Sequence, residues 1–135
     1  MFKRLLGVAL AITVIFAAMG YAQTPTAALT AEAQACTAVQ DRMPVGTAES
    51  FTSDVGQVYV WSKIMGSIDP STVIKHVWYY DGQEKASVEL IVKGSNWRTW
   101  SSKKIPASWT GDWVVKIVDA SGNIIKEVPF KIAAK

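Results

Sequence analysis

From residue 36 onward the sequence breaks into short runs rich in β-branched and aromatic residues, with turn residues returning about every ten positions. No segment of useful length carries a helical period, so the alternation of a sheet is the constraint that any fold must satisfy. The runs cover 37–41, 47–52, 57–65, 73–80, 86–93, 97–103, 112–119 and 124–132. Pro44, Pro70 and Pro106 fall between runs, where a missing N–H removes no ladder bond. Gly56, Gly66, Gly82, Gly94, Gly111 and Gly122 mark the same boundaries. The spacing predicts an all-β domain of about 7–8 strands, an antiparallel sandwich or barrel.

Alternation also fixes expected registers, because a one-residue slip turns every side chain to the wrong face. Pairing 73–80 with 84–92 through a three-residue Asp81-Gly82-Gln83 loop sets Trp78 against Ala86, His76 against Val88 and Ile74 against Leu90. Lys75 then faces Glu89 on the other side. A two-residue Asp81-Gly82 turn is the commoner hairpin signal, yet carried through it opposes Lys75 to Val88 and spoils the apolar row. A second hairpin through 93–96 is expected to set Val92 against Trp97, Ile91 against Arg98 and Glu89 against Trp100. A third, through 120–123, sets Trp113 against Phe130, Val115 against Val128 and Lys116 against Glu127. Trp78, Trp97, Trp113 and Phe130 are thereby assigned to the core, Trp100 to the outside, and Trp61 and Trp109 to neither.

The first residues read as a processing signal. Lys3 and Arg4 precede an uncharged stretch from Leu5 to Ala22, and Gly20 and Ala22 supply small residues before Gln23. The expectation is a secretory signal peptide over 1–22, a flexible tether over 23–35 and a β domain over 36–135. Export to the periplasm or the extracellular space follows, with anchoring in the inner membrane by residues 5–22 as the alternative. Removing residues 1–22 from the 135 leaves 113, and 12 basic side chains against 11 acidic ones. So balanced a domain has no Lys/Arg block for phosphate backbones, which excludes nucleic acid as a partner, and its length leaves no room for separate cofactor and substrate domains. A membrane partner is expected only if the signal stays attached.

Five stretches carry a family likeness: 39–46 (VQDRMPVG), 55–59 (VGQVY), 74–80 (IKHVWYY), 97–105 (WRTWSSKKI) and 111–130, with its Gly-Asp-Trp and Ser-Gly-Asn turns. Together they span nearly all of 36–132. In them the chain resembles the bacterial domain of unknown function 2914 family. The resemblance implies an extracytoplasmic β domain shaped like an immunoglobulin-like sandwich, and it transfers no catalytic or ligand residue.

Candidate chemistry is sparse. His76 is the single His, so a His-rich metal site is excluded, and its register puts it on the core face between Ile74 and Trp78. A hydrolase or metal-dependent enzyme would have to centre on His76, with Ser101 or Ser102 as nucleophile, Asp81 or Asp112 as orienting acid, or Cys36 as a metal ligand. No nucleophile elbow surrounds the serines and no ligand spacing surrounds the Cys. The expectation is no catalytic residue, no metal and no cofactor. Cys36, alone in the sequence, reads as a small buried hydrophobe or as the donor of an intermolecular disulfide.

The expected outer face of the middle strands combines Lys75, Val77, Tyr79, Glu89, Ile91, Arg98 and Trp100. Aromatic, aliphatic and basic groups together mark binding surfaces more than solvated ones. Lys75, Tyr79, Arg98 and Trp100 are therefore the candidate contacts for a partner, a cell-envelope protein or glycan.

Overall fold

The computed structural model describes residues 29–135. The expected signal over 1–22 and the first part of the tether lie outside the described residues. Ten strands and no helix follow: β1 Thr30–Cys36, β2 Ala38–Gln40, β3 Met43–Val45, β4 Ser50–Thr52, β5 Gln57–Met65, β6 Thr72–Tyr80, β7 Gln83–Val92, β8 Asn96–Lys104, β9 Gly111–Val118 and β10 Ile124–Ala133. They form a three-stranded sheet in the order β1-β5-β8, a five-stranded sheet in the order β4-β10-β9-β6-β7, and the small hairpin β2-β3. All pairings are antiparallel except that of β4 with β10.

The two larger sheets share one core. The three-stranded sheet contributes Ala35, Val58, Val60 and Ile64, and the five-stranded sheet Ile74, Trp78, Val115, Ile117, Phe130 and Ile132. Trp113 stacks on Phe130 with ring centroids 5.8 Å apart, and Trp78 meets the same Phe130 edge-on at 6.2 Å. Each fully buried large apolar side chain stabilises the fold by about 1.5–3 kcal/mol, so these residues outweigh any exposed ion pair.

Two of the three expected hairpins have the expected pairs. In β6–β7 Ile74 faces Leu90, Lys75 faces Glu89, His76 faces Val88 and Trp78 faces Ala86. The turn itself differs: Tyr80 pairs with Gln83, so Asp81 and Gly82 alone make it, with φ of 51° and 79°. Positive φ at both central residues is the demand of a type I′ turn. The register is reconciled by a bulge between Trp78 and Tyr79. In β9–β10 Trp113 faces Phe130, Val115 faces Val128 and Lys116 faces Glu127.

The hairpin expected through 93–96 is corrected. β8 leaves β7 and crosses to the other sheet, where Ile64 faces Trp97, Lys63 faces Arg98 and Trp61 faces Trp100. Its faces are as expected, Trp97 inward and Trp100 outward. Alternation fixes the face of a strand but not which neighbour it joins, and sequence neighbours pair by default.

The described part of the tether over 23–35 is corrected as well, because Thr30–Cys36 is a strand that pairs with β5 from Tyr59 to Met65. Its inward residues are Ala31, Ala33 and Ala35, with Thr30, Glu32 and Gln34 exposed. A period of two is present, carried by side chains too small to raise a hydropathy signal. The runs expected at 37–41 and 47–52 resolve into the shorter β2, β3 and β4.

Candidate functional site

Between the sheets, His76 on β6 is fully buried and meets Ser62 of β5 and Ser101 of β8. Ser62 Oγ donates to the Thr99 carbonyl at 3.0 Å, which leaves it to accept from His76 Nε2–H, also at 3.0 Å. Nδ1 is then the acceptor, and it receives the Ser101 hydroxyl at 2.7 Å. Ser101 in turn accepts from Trp78 Nε1 at 3.1 Å. The hydrogen bonds run in one direction from Trp78 through Ser101, His76 and Ser62 to Thr99, and every proton finds an acceptor. Protonation of His76 would put a second proton on Nδ1 and oblige Ser101 to turn its hydroxyl away. Burial pushes the imidazole down to about 4, so it is neutral at pH 7.

This is a Ser–His contact without the means to activate the serine. The third group is Ser62 instead of a carboxylate, and Ser101 itself is 6% exposed. Asp112 is bound to Lys131 at 2.8 Å, and Asp81 lies in the β6–β7 turn. Ser102 points the other way and accepts from Gln57 Nε2 at 2.9 Å. Among the described residues no three His, Cys, Asp or Glu side chains converge to hold a metal ion.

The outer face of the three-stranded sheet is built differently. Trp61, Trp100, Lys63 and Arg98 point outward from β5 and β8 as facing pairs. The β2–β3 hairpin folds over part of this face. Its two-residue turn, Asp41-Arg42, has positive φ at both positions, and the Arg42 carbonyl accepts from Trp61 Nε1 at 2.8 Å. Trp61 is thereby 4% exposed although it faces outward. Cys36, at the end of β1, is covered too, and burial pushes its thiol up. With the sulfur enclosed and protonated, the small-hydrophobe reading of Cys36 fits its surroundings, and an intermolecular disulfide would need the hairpin to open.

Beside the hairpin the face stays open. Trp100 is 37% exposed, and Met43 of the hairpin is 47% exposed. Arg98 rests its guanidinium on the Met43 sulfur at 3.3 Å. A thioether is a weak acceptor, so this contact satisfies the guanidinium poorly.

The four residues expected to share one surface are divided. Arg98 and Trp100 lie on the outer face of the three-stranded sheet, whereas Lys75 and Tyr79 lie on that of the five-stranded sheet. There Lys116 Nζ sits 4.7 Å from the centroid of the Tyr79 ring, and Tyr79 lines a shallow groove of about 570 Å³ with Gly82, Val114 and Pro129. The single aromatic–basic patch is thus a consequence of the misplaced β8. Sequence reasoning missed Ser62 and the β2–β3 hairpin. Ser62 stands at an inward position between Val60 and Ile64, and a hydroxyl there signals a buried polar partner. The Asp41-Arg42 turn has no Gly or Asn to announce it.

A family model described as "Protein of unknown function (DUF2914)" matches residues 71–132. Over that stretch the chain resembles the DUF2914 family. The match takes in β6 through most of β10, and with it His76, Arg98, Trp100 and Ser101. The stretches 39–46 and 55–59 lie outside it. No curated protein matches the chain. Among the described residues no helix is long and apolar enough to cross a membrane.

Proposed function

We propose that this is a non-catalytic binding or assembly module of the bacterial cell envelope, exported by its first 22 residues, that engages its partner through the outer face of the three-stranded sheet around Trp100. The observation that carries the reading is an exposed indole beside a guanidinium whose contact is a methionine sulfur. Trp, Arg and Met are enriched where proteins make contacts, and here Trp100 and Arg98 share one face of β8 with Met43 of the hairpin against the guanidinium.

An immunoglobulin-like sandwich is part of this proposal. The strand order β1-β5-β8 opposite β4-β10-β9-β6-β7, with β4 parallel to the last strand, follows the A-B-E and A′-G-F-C-C′ arrangement of such domains. Two features favour a binding role over a hydrolase or metal enzyme centred on His76. The imidazole is enclosed, and each of its nitrogens is already committed to a serine that has no carboxylate behind it.

The test is capture of envelope components by the immobilised protein, compared with a Trp100→Ala variant. The expected result is a discrete species retained by the wild type and lost from the variant, with both melting at similar temperatures. Equal retention by the two proteins sinks the assignment of this face.

A further inference from the structure

The β8 side of that outer face is narrow and one-sided in charge. The hairpin covers Trp61 and Cys36 and so separates the outward residues of β1 from those of the edge strand β8, where Arg98, Trp100, Ser102 and Lys104 alternate along the strand. Arg98 to Lys104 spans about 20 Å at the usual rise of about 3.4 Å per residue. On this face strands β5 and β8 carry Lys63, Arg98 and Lys104 and no carboxylate. In a nearly neutral domain that is a strong local asymmetry.

Lys63 and Arg98 are moreover directly opposite each other on the same face, a like-charge pairing that ordinarily destabilises a sheet. Glu32, the one carboxylate of this sheet, faces Lys63 from β1 on its other side, so the basic groups with no carboxylate directly opposite are Arg98 and Lys104 of β8. The two salt bridges among the described residues, Lys131–Asp112 and Lys135–Asp54, lie elsewhere.

We propose that the β8 track binds a single chain of an acidic polysaccharide, with a sugar ring packed on Trp100 and carboxylates of neighbouring sugars held by Arg98 and Lys104. This rests on the reading of the Trp100 face as the partner site and names the chemistry of the partner. A strand-wide track between a covering hairpin and the sheet edge matches one extended chain better than a globular surface. The apolar C–H face of a sugar ring suits an indole, and a planar carboxylate suits the guanidinium fork.

The test uses polygalacturonate as the probe and dextran as the uncharged control, followed by Trp fluorescence and calorimetry. The expected result is binding of polygalacturonate that weakens with added salt, and no binding of dextran. Trp100→Ala should weaken it about tenfold or more, the loss expected for a buried aromatic contact. An Arg98→Gln/Lys104→Gln double variant should weaken it similarly and flatten the salt dependence. Lys75→Gln/Lys116→Gln, which removes the same charge from the other sheet, should change nothing.

Binding that survives Trp100→Ala, or that falls equally in the Lys75/Lys116 variant, overturns the proposal as general attraction of a polyanion. No polygalacturonate binding, together with loss of envelope capture by Trp100→Ala, overturns the polysaccharide and leaves the binding face standing. No polygalacturonate binding and unchanged capture removes both.

Discussion

His76 decides how the domain responds to acid. Its free value near 6.5 falls to about 4 in the fold through burial, and none of its hydrogen-bond partners carries a charge to hold the imidazolium. Because the folded state favours the neutral ring, its contribution is complete above pH 6.5, declines as pH falls, and is gone below about 4. A shift of that size corresponds to about 3 kcal/mol. Urea denaturation measured from pH 7 to 4 should therefore show stability dropping across this window. The Asp54 carboxyl is held low by the Thr52 hydroxyl and by Lys135, so its titration falls below the window. His76→Gln should be less stable at pH 7 yet nearly flat between pH 6.5 and 4. A variant with the wild-type slope would assign the acid response to another group. The serines give a second residue-scale outcome. Ser101→Ala leaves both Trp78 Nε1 and His76 Nδ1 without their partner inside the core, at a cost of about 1–3 kcal/mol in the same titration. Ser102→Ala removes only the half-buried bond to Gln57 and should cost well under half as much.

At the scale of elements, the β2–β3 hairpin is the part whose integrity can be read optically. Gly46 follows β3 with φ of 72°, and a Cβ there would collide with the β-branched side chain of Thr37, which bonds the Val45 carbonyl. Gly46→Ala should therefore unseat the hairpin and leave the two-sheet core in place. Trp61 would lose its cover, shifting fluorescence to longer wavelength, and Cys36 would begin to react with a water-soluble thiol reagent before global unfolding. If Cys36 stays as unreactive as in the wild type, the hairpin is not what shields it. The same scale shows why parts of the fold were legible in the sequence and parts were not. In β6–β7 and β9–β10 both strands alternate strongly, so only one register satisfies both faces, and Trp113 against Phe130 follows. β8 alternates equally well, and its faces were legible, but the choice of sheet was not. That choice rests on contacts across the core, among them Ser101 with His76, which no local pattern encodes. Lys75 and Tyr79 consequently lie on the opposite side of the molecule from Arg98 and Trp100. The outward orientation of Trp100 and Arg98 was legible because it depends on alternation alone.

For the molecule as a whole, β1 is an integral part of the folding unit. It pairs residue for residue with β5 from Thr30 to Cys36, and its Ala35 belongs to the core cluster. Without it β5 becomes an edge strand, and the inner side chains Val60 and Ile64 lose the cover of Ala35 and Ala31. Its ladder bonds contribute only about 0.5–1.5 kcal/mol each, and ordering seven residues opposes them, so the cost lies mainly in that uncovered apolar surface. Partial exposure of two large side chains is worth roughly 3 kcal/mol, a large part of the stability of a domain this size. A protein beginning at residue 29 should accordingly melt as one cooperative unit with dispersed amide resonances. One beginning at residue 36, as a tether over 23–35 would permit, should be destabilised by roughly that 3 kcal/mol or fail to fold. Equal melting temperatures for the two would mean that β1 only decorates the sheet. The longer protein is also the one in which Trp100 can be tested fairly, because β1 backs the same sheet that presents it.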